Sequence, residues 1–151
     1  MSNPSRSSER GVSTTVNYVL TLGIASLLII GLLTAGGDFI EDTRDQAVRE
    51  ELEVIGQQIS SDVSRADRLV VAADSSDPTV RMTLEYPDRV VGTQYRVRLD
   101  NSTNQIILES ADPSISVAIG IRTETDLANS TASSGGMRLV YIGDRLEVQN
   151  V

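Results

Sequence analysis

The chain has 151 residues and a net charge of −8; its 13 basic residues are all arginine, and it contains no histidine, cysteine or lysine. That alphabet excludes a Ser-His-Asp triad, a cysteine nucleophile, an ordinary zinc site, a phosphate-binding P-loop and a Schiff-base amine. Acidity argues against nucleic acid, which calls for clustered basic charge. A lysine-free, acid-rich surface instead suits very high salt, where screening removes the repulsion between carboxylates.

Residues 1–11 are polar and serine-rich and read as a leader. Residues 12–37 follow without one charged side chain, and Val16, Val19, Leu20, Leu22, Ile24, Leu27 to Ile30, Leu32 and Leu33 crowd into them. A helix needs about 20 mostly apolar residues to cross a bilayer, so this stretch predicts a transmembrane helix. Arg6 and Arg10 precede it, whereas Asp38, Glu41 and Asp42 follow. By the positive-inside rule the N-terminus stays cytoplasmic and everything past residue 38 lies outside the cell.

The run Arg10-Gly11-Val12-Ser13-Thr14-Thr15-Val16 sets a basic residue and a glycine directly before the apolar helix. In this it resembles the class III signal peptide of archaeal, in particular haloarchaeal, type IV pilins, which a prepilin peptidase cuts after a small residue preceded by positive charge. The resemblance implies cleavage between Gly11 and Val12, and a mature chain that begins with its apolar helix. The glutamate that many pilins carry five residues into the mature chain is Val16 here. Within the span Gly31 and Ala35 form a small-xxx-small pair, and Asn17, Thr21 and Ser26 supply polar atoms at helical spacing, a composition that lets helices approach closely and bond to one another.

Residues 38–68 change to an amphipathic pattern. Val48, Leu52, Ile55, Ile59, Val63 and Ala66 recur every three or four positions, with Arg44, Arg49, Glu50, Glu53, Asp62 and Arg65 on the remaining faces. Gly36-Gly37 is expected to kink or interrupt the helix, and Asp38 with Glu41 to restart it as a capping pair. A continuous helix from Val12 to Arg68 would measure about 85 Å at 1.5 Å per residue. The stripe predicts packing against a sheet.

Residues 69–151 read as β-rich, with residues 69–73 already out of the helix. Val80, Met82, Leu84 and Tyr86 alternate, as do Tyr95, Val97 and Leu99, and Ile115, Val117, Ile119 and Ile121; residues 106–108 add a shorter apolar run. Residues 129–136 form a Ser/Gly loop, and residues 137–142 and 145–148 flank Gly143-Asp144 as a hairpin. The expected fold is α+β: a long N-terminal helix followed by an antiparallel sheet or small sandwich, which is also what the pilin resemblance implies.

Asn101-Ser102-Thr103 and Asn129-Ser130-Thr131 are N-glycosylation sequons in expected external loops. Asp100, Ser102 and Asn104 imitate the start of a calcium loop, but Gln105 stands in place of the required glycine and Ala111 in place of the closing glutamate, which rules out an EF-hand. Asp74 and Asp77 read as a solvated turn. No spacing of carboxylates points to catalysis, and no metal or cofactor is expected. The leading expectation is a non-enzymatic, minor subunit of a type IV pilus-like surface filament, whose partners are the membrane, the prepilin peptidase and other pilin-like subunits or copies of itself. The alternatives are a membrane-anchored extracytoplasmic β-domain, such as a stator-like component of the archaellum, and, last, an anchored hydrolase.

Overall fold

A computed structural model describes the backbone of residues 5–73 and 78–151 and the side chains of residues 15–73 and 78–151. The chain divides into two compact units, Met1–Thr43 and Arg44–Val151. A single helix, α1 (Ser5–Ala72), begins in the first unit and ends in the second. The expected interruption at Gly36-Gly37 is absent: the backbone is helical through both glycines and through Asp38. Two glycines cost about 1 kcal/mol each relative to alanine, whereas a break would orphan four carbonyls and four amides. The helix also outlasts its expected end at Arg68. Ala73 N donates to Leu69 O at 3.1 Å and to Val70 O at 3.2 Å, so local bonding prevails over the strand propensity of Val70 and Val71.

In the second unit the apolar stripe of α1 meets the sheets. Val48, Leu52, Ile59, Val63 and Ala66 are fully buried and Ile55 nearly so, as their spacing requires. Eight strands follow: β1 (Arg81–Leu84), β2 (Tyr95–Asp100), β3 (Gln105–Ala111), β4 (Ser114–Gly120), β5 (Asp126–Leu127), β6 (Ser130–Ser133), β7 (Met137–Ile142) and β8 (Arg145–Asn150). They form two four-stranded sheets, ordered β1-β7-β8-β5 and β4-β3-β2-β6. Every pairing is antiparallel except β5 with β8, which is parallel. The architecture is thus α+β, one long helix followed by antiparallel-rich sheets.

Alternation delivers the core. Tyr95, Val97 and Leu99 of β2, Ile106 and Leu108 of β3, and Ile115 and Val117 of β4 turn inward, while Arg96, Ser116 and Ala118 face out. The loop expected at residues 129–136 is in part strand β6, which pairs with β2 through Ser130 to Ser133. Its sequence, Ser-Thr-Ala-Ser, buries only Ala132, so hydropathy does not reveal it. Its neighbour β5 is too short for any periodicity to show.

The segment carrying β5 and β6 runs along β8 and joins the sheets. Ala128 N donates to Leu146 O at 2.8 Å, Val148 N to Ser130 Oγ at 3.0 Å, and Ser133 N to Asn150 Oδ1 at 2.8 Å. Serine and asparagine side chains there take the place of backbone ladder bonds, so the strand array turns from one sheet into the other at this seam. The helix packs closely against the second sheet at Gly56, where an added Cβ would lie 2.7 Å from Ile119 Cγ1 and 3.0 Å from Leu108 Cδ1.

Candidate functional site

The most conspicuous feature of the first unit is apolar surface that none of the described residues covers. The large apolar side chains from Val16 to Leu33 are between 52% and 72% exposed, and the apolar window of α1, long enough to cross a membrane, has none of its length buried. Exposure on every side is costly in water, at roughly 25 cal/mol per Å², so this helix is suited to an apolar environment and is long enough to span a membrane. Its polar groups already suit one. Thr21 Oγ1 donates to Asn17 O at 2.8 Å, Ser26 Oγ to Leu22 O at 2.9 Å and Thr34 Oγ1 to Ile30 O at 3.0 Å. These three hydroxyls bond back to their own helix and so bring no unsatisfied donor of their own into lipid.

The expected assembly residues lie on this surface. Asn17, Gly31 and Ala35 are all exposed, and a Cβ added at Gly31 would meet nothing within 4 Å. The backbone of the expected processing residues Arg10, Gly11 and Val12 is helical, and their side chains lie outside the described residues. Asp74 and Asp77 lie outside them as well.

Folding brings the two sequons together. Asn101 opens the turn between β2 and β3, Asn129 lies between β5 and β6, and Asn101 N donates to Asn129 Oδ1 at 2.9 Å. Both residues are exposed. This bond uses the carbonyl oxygen of Asn129 and leaves its amide nitrogen, the atom that a glycosyl transferase modifies, outside the contact. The adjacent Asp100 carboxylate is committed to the turn itself: Oδ1 accepts from Ser102 Oγ at 2.5 Å, from Ser102 N at 2.9 Å and from Thr103 N at 3.3 Å. Oδ2 lies 3.4 Å from Arg98 Nη1. These bonds, the Ser102 hydroxyl first, hold its pKa below the usual carboxylate range.

A family of unknown function, DUF7266, matches residues 7–149, which takes in the apolar helix, the amphipathic helix and all eight strands but for the end of β8. The chain belongs to this family. No curated protein and no solved structure matches it.

In this DUF7266 chain two polar contacts between the helix and the loops after β1 and β4 escape a reading by sequence. Asp67, only 7% exposed, accepts Glu124 N at 3.1 Å on Oδ2 and Thr125 N at 2.8 Å on Oδ1, which ties the loop after β4 to the helix. Tyr86 Oη donates to Asp62 Oδ2 at 2.5 Å. Each aspartate sits among charged residues on a helix, so in sequence it resembles a solvated face; only its long-range partner, 57 or 24 positions away, gives it a role.

Proposed function

We propose that the chain is a non-enzymatic, minor subunit of an archaeal type IV pilus-like surface filament. The observation that carries this reading is the combination within α1 of an uncovered apolar segment and a buried stripe that the β-domain grips. One length of the helix is free to serve lipid or other helices, while another organises a folded head. The Arg10-Gly11-Val12 signal supports cleavage by a prepilin peptidase, which leaves Val12 as the mature N-terminus. The apolar helix then leaves the bilayer to pack in a filament, with Gly31 and Ala35 giving close contact and Asn17 a hydrogen bond. The β-domain faces salt water outside the cell, with Asn101 and Asn129 as glycan acceptors.

Mass spectrometry of the mature N-terminus tests the reading directly. A chain beginning at Val12 in cells with the peptidase, and at full length in cells without it, is expected. The Gly31→Leu, Ala35→Leu double variant and the Asn17→Leu variant should insert normally, since each makes the span more apolar, yet be depleted from sheared surface filaments. An uncut chain that is never recovered in sheared material defeats the filament reading in favour of a membrane-anchored β-domain.

A further inference from the structure

The joined strand array has two ends. β5 and β6 meet along β8, so the outer edges that remain are β4 in one sheet and β1 in the other. Among the described residues β4 pairs only with β3, and β1 only with β7. The phase of each ladder tells what its open edge offers. Ile121 N donates to Asn104 O at 2.9 Å; since antiparallel pairs alternate between bonded and non-bonded, Ser116, Ala118 and Gly120 turn their N–H and C=O groups outward. At the other end Tyr141 N donates to Val80 O at 3.0 Å, so Arg81 and Thr83 do the same.

Strand edges are ordinarily guarded by charge, proline or a bulge. β4 reads Ser-Ile-Ser-Val-Ala-Ile-Gly and has none of the first two. Beside it runs a groove of about 720 Å³ between this strand and helix α1, floored by Val54 and Ile119 and rimmed by Glu50, Glu53 and Gln57. Neither glutamate forms an ion pair among the described residues. The β1 edge is the complement: Arg81 is exposed, likewise without an ion pair among the described residues, and shares a strand face with exposed Thr83.

We propose that the β1 edge of one copy adds in parallel to the β4 edge of the next: in a parallel pair Arg81 and Thr83, which bond toward β4, stand opposite residues of β4 that bond toward β3, so they share the face of Val117 and Ile119 and Arg81 enters the groove opposite Glu50 and Glu53. Backbone hydrogen bonds supply the contact, and the charges, which meet at contact range in the groove and are screened less there than exposed ones, select the pairing: β4 against β4 would set acidic rim against acidic rim with no arginine between them. Because the two edges are different surfaces the contact is heterologous, each added copy leaves one edge of each kind free, and the array propagates. The proposal deepens the filament reading and rests on it for its biological setting.

The absence of cysteine makes the contact testable in the full-length protein in native membranes at molar salt. Thr83→Cys and Gln57→Cys are introduced singly and together, and a short bis-maleimide is added. The double variant is expected to give a ladder of cross-linked multimers, while each single variant stays monomeric. Arg81→Glu in the double-cysteine background should cut the ladder about tenfold, corresponding to about 1.4 kcal/mol, and Glu53→Arg should restore it. Ala118→Pro, which removes an outward N–H and no bond to β3, should abolish it. A double-cysteine chain that gives no ladder, a dimer from Gln57→Cys alone, or a ladder indifferent to both Arg81→Glu and Ala118→Pro overturns the proposal. Protein present in sheared filaments without a ladder defeats the edge contact alone, whereas a ladder in membranes with an uncut N-terminus and empty filaments defeats the filament reading alone.

Discussion

Two residues show how a local rule is broken for a tertiary reason, or for none. Val91 has φ of 47° and Gly92 of 83°, in a two-residue turn closed by Val90 N donating to Thr93 O at 2.8 Å and Thr93 N to Val90 O at 2.9 Å. Positive φ at both central positions is the pattern of a type I′ turn, which favours Asn-Gly, and a β-branched residue there is strained. Val91 is 42% exposed and buries little in return. Val91→Asn should therefore stabilise the protein by about 1 kcal/mol, read as a rise of several degrees in the thermal midpoint; an unchanged or lower midpoint contradicts the strain argument. Gly56 is the opposite case. Alanine there gains about 1 kcal/mol in helix propensity but drives a Cβ to 2.7 Å from Ile119 Cγ1, and overpacking costs about 1 to 3 kcal/mol. Gly56→Ala is expected to lower the midpoint, and Gly56→Leu to prevent folding of the β-domain; a rise with alanine would mean that β4 yields freely.

At the scale of elements, the junction between helix and strands holds the polar contacts on which stability turns. Asp67→Ala would leave the amides of Glu124 and Thr125 without their acceptor, at about 1 to 3 kcal/mol each when buried. The loop after β4 should then exchange its amide hydrogens faster, by hydrogen-exchange mass spectrometry, and wild-type protection would refute the clamp. The tyrosines give a second test. Burial, and next the nearby Asp88 charge, push Tyr95 up to about 12; burial, and next its bond to Asp62, raise Tyr86 still further. An unfolded tyrosine loses its proton near 10, so above that pH the unfolded chain releases protons that the folded chain keeps. Their contribution to stability is complete below about pH 10 and is lost as pH rises through the folded values. With no lysine or cysteine to titrate in the same range, a loss of stability between pH 10 and 12 is assignable to tyrosine. Tyr86→Phe should flatten the profile; a stability that stays level to pH 12 in the wild type would defeat the assignment.

The whole molecule is governed by charge and by apolar surface. Of 21 acidic and 13 basic residues only Glu9, Arg6 and Arg10 precede residue 38, which leaves 20 and 11 from Asp38 onward. Few of these charges are paired: among the described residues the ion pairs are Asp62 with Arg65 and Arg98 with Asp100 and Glu109. Screening must therefore do what pairing does not, since the Debye length is about 3 Å in molar salt and about 30 Å at 0.01 M. The full chain in detergent is expected to lose its tertiary circular dichroism as salt is diluted from molar to millimolar, and a constant melting temperature over that range would contradict this. The same self-repulsion opposes association of copies at low salt.

The sequence by itself determined the place of the apolar helix, the buried stripe from Val48 to Ala66, strands β1 to β4 and the β7–β8 hairpin. Each of these is a periodic hydropathy pattern, and such patterns survive because the residues that share a face are near neighbours in the chain. What the tertiary structure alone decided depends on partners far apart. It made a strand of Ser130 to Ser133, whose reason is β2 beside it and β8 along it rather than its own composition. It brought Asn101 and Asn129 into contact across 28 positions, gave Asp67 two amides to hold, and left β1 and β4 as the open edges. Strand order and edge identity carry no local signature, because a strand's own alternation says which side faces the core and nothing about which neighbour lies beside it.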